Sequence, residues 1–84
     1  MSVFVGKKPL FVYSLKAMST LKQEKKVVIA ARGALISKAI LVVNRIVSQM
    51  KNVNVSISYN VQKLLDEKKN REKEVPVMEF TLTM

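Results

Sequence analysis

Two glycines cut the chain into a repeated pattern, and that repeat narrows the available folds more than any other feature. Gly6 follows the short apolar stretch Val3, Phe4 and Val5, and Gly33 follows the apolar residues 27–31 and Arg32. After each glycine, apolar residues recur with the period of a helix. Glycine at a strand-to-helix junction accepts backbone angles and close approaches that a Cβ forbids. The pattern reads as a β-Gly-α unit used twice.

The first helix is expected to start at Pro9, because the N–H that proline lacks has no partner at a first helical position anyway. Leu10, Phe11, Tyr13, Leu15, Ala17, Met18 and Leu21 fall on one broad arc at 100° per residue. The polar run 22–26 then reads as a turn. In the second helix, about residues 34–50, the apolar residues fill roughly 160°, whereas a stripe a little over 100° wide covers one sheet face. That width points to burial on two sides, against the chain's own sheet and against a second copy. A single well-filled core is the competing reading. Leu41 stands apart, in the polar arc with Lys38, Arg45 and Ser48.

Val53, Val55, Ile57, Tyr59 and Val61 alternate with polar residues, as in a half-buried strand. Residues 75–82 form a last strand with imperfect alternation. Residues 63–74 between them read as a long hairpin tip, since strands without a crossover helix pair as neighbours. The helix propensity of residues 64–69 leaves room for a helical turn there. The expected fold is α+β, in the order β1-α1-β2-α2-β3-β4. It is a two-layer sandwich with a four-stranded mixed sheet, two helices on one face and a long β3-β4 hairpin, in one domain over residues 1–84.

At 84 residues the core is small, which favours self-association. The formal net charge is +9. Up to Gln62 the acidic residue Glu24 stands against ten basic ones; from Lys63 onward five basic residues meet five acidic ones. The whole excess therefore sits in the first three quarters of the chain, and a field of that sign favours polyanions, nucleic acid before an anionic membrane. No cysteine and no histidine are present, which excludes zinc sites of the Cys/His kind and leaves no thiol nucleophile or imidazole base. No cofactor is expected, and nothing positions a base beside a nucleophile, so an enzyme is not expected either. Asp66-Glu67 with Glu72 and Glu74 reads as a solvated tip in preference to a weak divalent-ion site. The longest apolar runs, 27–31 and 39–43, are too short to span a bilayer. The first charges follow the N-terminal apolar stretch, the reverse of a signal peptide, so an intracellular location without a membrane partner is the expectation.

Lys7 and Lys8 sit at the first strand-to-helix corner and Arg32 at the second. If the two strands run parallel, both corners lie on one sheet edge. The three cations then form a patch beside helix N-terminal amides, suited to phosphates. Lys38, one turn into the second helix, extends it.

Gly6-Lys7-Lys8-Pro9, followed by an apolar helix and then by Val28-Ile29-Ala30-Ala31-Arg32-Gly33-Ala34-Leu35-Ile36-Ser37-Lys38-Ala39, closely resembles the archaeal Alba chromatin proteins. The resemblance covers essentially the whole chain and fades in the hairpin. It implies the fold above, a homodimer or a heterodimer with a paralogue, dimer–dimer assembly on DNA, and binding of double-stranded DNA and of RNA without sequence preference. It implies contacts to nucleic acid by Lys7, Lys8, Arg32, Ser37 and Lys38, with Lys68, Lys69, Arg71 and Lys73 on the arm. Lysine acetylation would fall on Lys7 or Lys8. Met50 stands where members often carry an aromatic for dimer–dimer stacking; with Leu41 and Ile46 it completes the candidate dimer or dimer–dimer contacts. The implied location is the cytoplasm, on the chromosome or nucleoid. Two departures thin the patch: Ala30 and Ala34 stand where many members are basic, and the tip is charge-balanced and lacks glycine. The competing readings are an RNA-binding subunit of a ribonucleoprotein such as ribonuclease P, a basic amphipathic helix on a membrane surface, and a module for an acidic protein.

Overall fold

A computed structural model describes residues 2–66 and 71–84. The elements are β1 (Ser2–Phe4), α1 (Leu10–Glu24), β2 (Lys26–Arg32), a 3-10 turn (Gly33–Leu35), α2 (Ile36–Gln49), β3 (Asn54–Asp66) and β4 (Arg71–Thr83). The strands form one sheet in the order β1-β2-β4-β3. β1 runs parallel to β2, and the other pairs are antiparallel. This is the expected mixed sheet with two helices.

Helix α1 begins after Pro9 and continues through Lys22, Gln23 and Glu24, into the segment expected to be a turn. Lys25 ends it in the left-handed conformation at φ 64°, its N–H donating to the Leu21 carbonyl at 2.9 Å. The buried face is rotated from the apolar arc. Tyr13, Ser14, Ala17, Thr20 and Leu21 are buried, whereas Phe11 and Leu15 are exposed. Burial of the two hydroxyl residues is possible because each bonds within the helix. Ser14 Oγ donates to the Leu10 carbonyl at 3.0 Å and Thr20 Oγ1 to that of Lys16 at 2.9 Å.

On α2 the buried residues are Ala39, Val42, Val43 and Ile46, at the spacing of one helical face. They meet Ala17 and Leu21 of α1 and Val27, Ile29, Ala31, Phe80 and Leu82 of the sheet. Ile46 is 0% exposed. The expectation of Ile46 at an interface is thereby corrected, since its side chain is wholly enclosed by the chain's own core. The outer flank of α2 leaves Ile40, Leu41 and Val47 exposed.

Strand β3 is one of the two sheet edges, with β1 at the other. Its register sets Val55 beside Leu82 and Ile57 beside Phe80, on the helix side, because paired residues share a face. Val55 is nevertheless 39% and Ile57 60% exposed; neither helix reaches over β3.

The expected long tip is mostly strand. β3 and β4 each have 13 residues and stay paired out to Asp66 opposite Arg71. The helical turn considered for residues 64–69 does not form in its described part, 64–66; residues 67–70 lie outside the described residues. Lys63 faces Glu74 across the ladder, an opposite-charge pair that favours strand over helix. Since β2 ends at Arg32 opposite Val77, the pairs from Val61–Pro76 outward form a free two-stranded arm roughly 20 Å long at ~3.3 Å per residue. The described chain measures 48 × 23 × 18 Å. Among the described residues no helix is long and apolar enough to cross a membrane.

Candidate nucleic-acid interface

Parallel pairing of β1 and β2 sets Phe4 beside Ala30, so both strands end at the same sheet edge. Lys7 and Lys8 follow β1 there, and Arg32 closes β2. The Val5 N–H donates to the Ala30 carbonyl at 2.9 Å and carries the pairing one residue beyond the strand. The chain then turns tightly over α1. A Cβ on Gly6 would lie 3.1 Å from the Tyr13 hydroxyl oxygen, and the Lys8 N–H donates to that oxygen at 3.1 Å.

The second helix fastens the same corner. Lys38 Nζ donates to the Gly6 carbonyl at 2.8 Å and also to the Lys8 carbonyl, and it stands 5.4 Å from the centroid of the Tyr13 ring. Sequence reasoning takes Lys38 as one more phosphate cation. In the structure its half-buried ammonium turns inward, to two carbonyls and an aromatic face. The corner it holds displays Lys7 and Lys8, both exposed.

Gly33 has φ +61°, a left-handed angle that lets β2 turn directly into the 3-10 turn without the strain a side chain would bring. Arg32, just before it, is exposed, and its Nη1 donates to Gln62 Oε1 at 3.5 Å. Gln62 belongs to the root of the arm, so the arm and the body patch leave the sheet at the same end. Ser37 is exposed near the start of α2, its Oγ donating to the Ala34 carbonyl at 3.4 Å. Glu24 is at the far end of α1, roughly 20 Å away by helical rise. The corner is therefore positive, and the positive end of the α1 dipole adds to it.

The arm's balanced charge divides by face. Along the ladder Gln62 pairs with Val75 and Leu64 with Lys73, while Lys63 pairs with Glu74 and Leu65 with Glu72. Successive pairs point to opposite sides. Lys73 thus shares a face with Arg32 and Gln62, while Glu72 and Glu74 lie on the other face with Lys63. Counting charge along the sequence hides this division. Arg71 is placed by its backbone opposite Asp66; Lys68 and Lys69 lie outside the described residues.

Of the candidate contacts between copies, Leu41 is 56% exposed and Met50 is half-buried, lining a groove with Leu15 and Met18. Sequence reasoning missed Tyr13 and Gln62. The signal for Tyr13 was its hydroxyl, the one polar tip in an apolar arc, which needs a partner when buried.

The Alba family model matches residues 2–63. Among curated proteins nothing matches the sequence. Among solved structures, Alba from Thermoplasma volcanium is 29% identical at a TM-score of 0.87, with 100% of both chains covered. ALBA1 from Trypanosoma brucei is 27% identical at a TM-score of 0.78, over 98% of this chain and 67% of that one.

Proposed function

The chain belongs to the Alba family, and on that premise we propose that it is a dimeric architectural protein binding double-stranded DNA, and RNA, without sequence preference. The observation that carries the reading is the shared edge: Lys7, Lys8 and Arg32 end up at one end of the sheet, from which the arm also departs. Cations grouped this way contact phosphates, which position a duplex and carry no sequence information. Ser37 adds a hydroxyl at the start of α2, and Lys38 holds the corner. The arm, with Lys73 on the Arg32 face, follows the groove, and Lys68, Lys69 and Arg71 are its further proposed contacts. Acetylation of Lys7 or Lys8 removes a charge from the patch and weakens binding. The role is one of binding, on the chromosome or nucleoid in the cytoplasm.

A second copy, or a paralogue, covers the apolar flank. Ile40 and Val47 of α2 and Val55, Ile57 and Tyr59 of β3 are all exposed, more apolar surface than a small monomer usually leaves to water. Leu41 and Met50 lie outside that group and serve contacts between dimers.

Affinity measured for two duplexes of unrelated sequence across a salt series tests the reading. Log K should fall steeply and linearly with log salt, with nearly equal values for both sequences. A strong sequence dependence, or no salt dependence, would defeat it. Preference for a structured RNA at high salt would instead assign the chain to a ribonucleoprotein.

A further inference from the structure

The groove at the root of the arm shares Arg32 with the duplex contacts just described, but Phe4, Ala30, Gln62 and Val77, which also line it, have no part in them. We propose that it holds an unpaired nucleobase of a single strand, a second binding mode that rests on the nucleic-acid reading and extends it. Val3 and Val5 point into the core, so Phe4 between them points to the open face of the sheet, where it is 76% exposed. A ring that exposed contributes almost nothing to the core. Its strand neighbour Ala30 is 4% exposed and has no bulk beyond Cβ, which leaves a low floor next to the ring. With Arg32, Gln62 and Val77 these residues line a groove of about 480 Å³, within the usual ~300–1,000 Å³ range of small-ligand sites.

A single-stranded base asks for three things: an apolar plane for its face, donors and acceptors for its edge, and cations for the flanking phosphates. The Phe4 ring supplies the plane. The Gln62 amide both donates and accepts, and the Arg32 guanidinium donates. Their mutual bond is long, at 3.5 Å, so both groups can turn to a ligand at small cost. Lys7 and Lys8 follow Phe4 at the same edge for the phosphates. Glu79 is exposed on the same sheet face, paired with Ala30 on the side away from Phe4. Its charge repels phosphates from the middle of the sheet and directs the strand toward the lysine corner. Bases inside a duplex are paired and stacked, and they cannot enter.

The test uses the full chain and three probes of one sequence: a single-stranded RNA, its duplex, and the same single strand with abasic sites, which keeps every phosphate. Phe4→Ala should weaken single-strand binding by about 5- to 150-fold and change duplex binding less than about twofold, since no phosphate contact is lost. Phe4→Trp should retain single-strand affinity. The chain has no tryptophan of its own, so the fluorescence of this variant reports the groove alone, quenched by the intact strand and not by the abasic one. Equal affinity of the unaltered chain for intact and abasic strands would overturn the proposal. So would an equal loss on single strand and duplex in Phe4→Ala. If the unaltered chain binds none of the three probes, the nucleic-acid reading itself fails.

Discussion

The Lys38 ammonium donates to the Gly6 carbonyl at 2.8 Å, across 32 residues of sequence. That bond, with the one to Lys8, ties the second helix to the loop that carries the exposed lysines. Lys38→Met keeps the side-chain stem and removes both bonds. Hydrogen bonds from a charged donor are worth ~1.5–3 kcal/mol, so urea denaturation should show a loss of stability on that order. Affinity for duplex DNA should drop while the slope of log K against log salt stays the same, because no phosphate contact is removed. A slope lower by about two units, one for each copy in the dimer, would make Lys38 a direct contact.

Lys7 and Lys8 are the opposite case. Both are exposed, and among the described residues neither side chain has a bond that would have to break before it meets a phosphate. In the dimer each substitution removes two cations, so Lys7→Ala and Lys8→Ala should each reduce the salt slope by roughly two units, and Lys→Gln, which imitates acetylation, should do the same. Neither change should shift the unfolding midpoint much, as surface substitutions are typically within about 0.5 kcal/mol. An unchanged slope in the double variant would move the site elsewhere.

The division of arm charge by face leads to an asymmetric expectation. Lys73→Glu and Glu74→Lys alter net charge by equal and opposite amounts. If charge count alone mattered, their effects on duplex affinity would mirror each other. With Lys73 on the Arg32 face and Glu74 on the other, Lys73→Glu should weaken binding by a larger factor than Glu74→Lys strengthens it. Titrations of both variants at one low salt concentration decide this, where screening is weakest.

Element order was legible because it depends on residues that act locally. Gly6 and Gly33 mark the corners, and the alternation from Val53 to Val61 marks a strand. What stayed hidden depends on contacts between distant segments. Ser14 and Thr20 look like solvent-facing residues until their hydroxyls are seen bonded within α1. Lys38 looks like any other surface lysine, since the carbonyls that hold it belong to another element. The two strands run further along the expected hairpin than alternation predicts, because Lys63 and Leu64 break the two-residue period; opposite partners on β4 keep them in the ladder. Ile46 belonged to an apolar arc too wide for periodicity to divide between core and interface.

The two apolar surfaces of α2 and β3 can be separated by substitution. Ile46 is fully enclosed, and cutting a buried isoleucine to alanine costs ~2–5 kcal/mol. Ile46→Ala should therefore lower the unfolding midpoint even at dilutions where copies have separated. Ile57 is 60% exposed on the uncovered part of the sheet, so Ile57→Asp leaves the core of one copy intact and places a charge where a second copy would pack. Sedimentation at micromolar concentration should find the unaltered chain dimeric and Ile57→Asp monomeric, with the monomer keeping its circular dichroism spectrum. A monomer also presents one basic corner in place of two, and its duplex salt slope should fall to about half. An Ile57→Asp chain that still sediments as a dimer would put the interface on another face, with the Leu41 flank of α2 the next surface to alter.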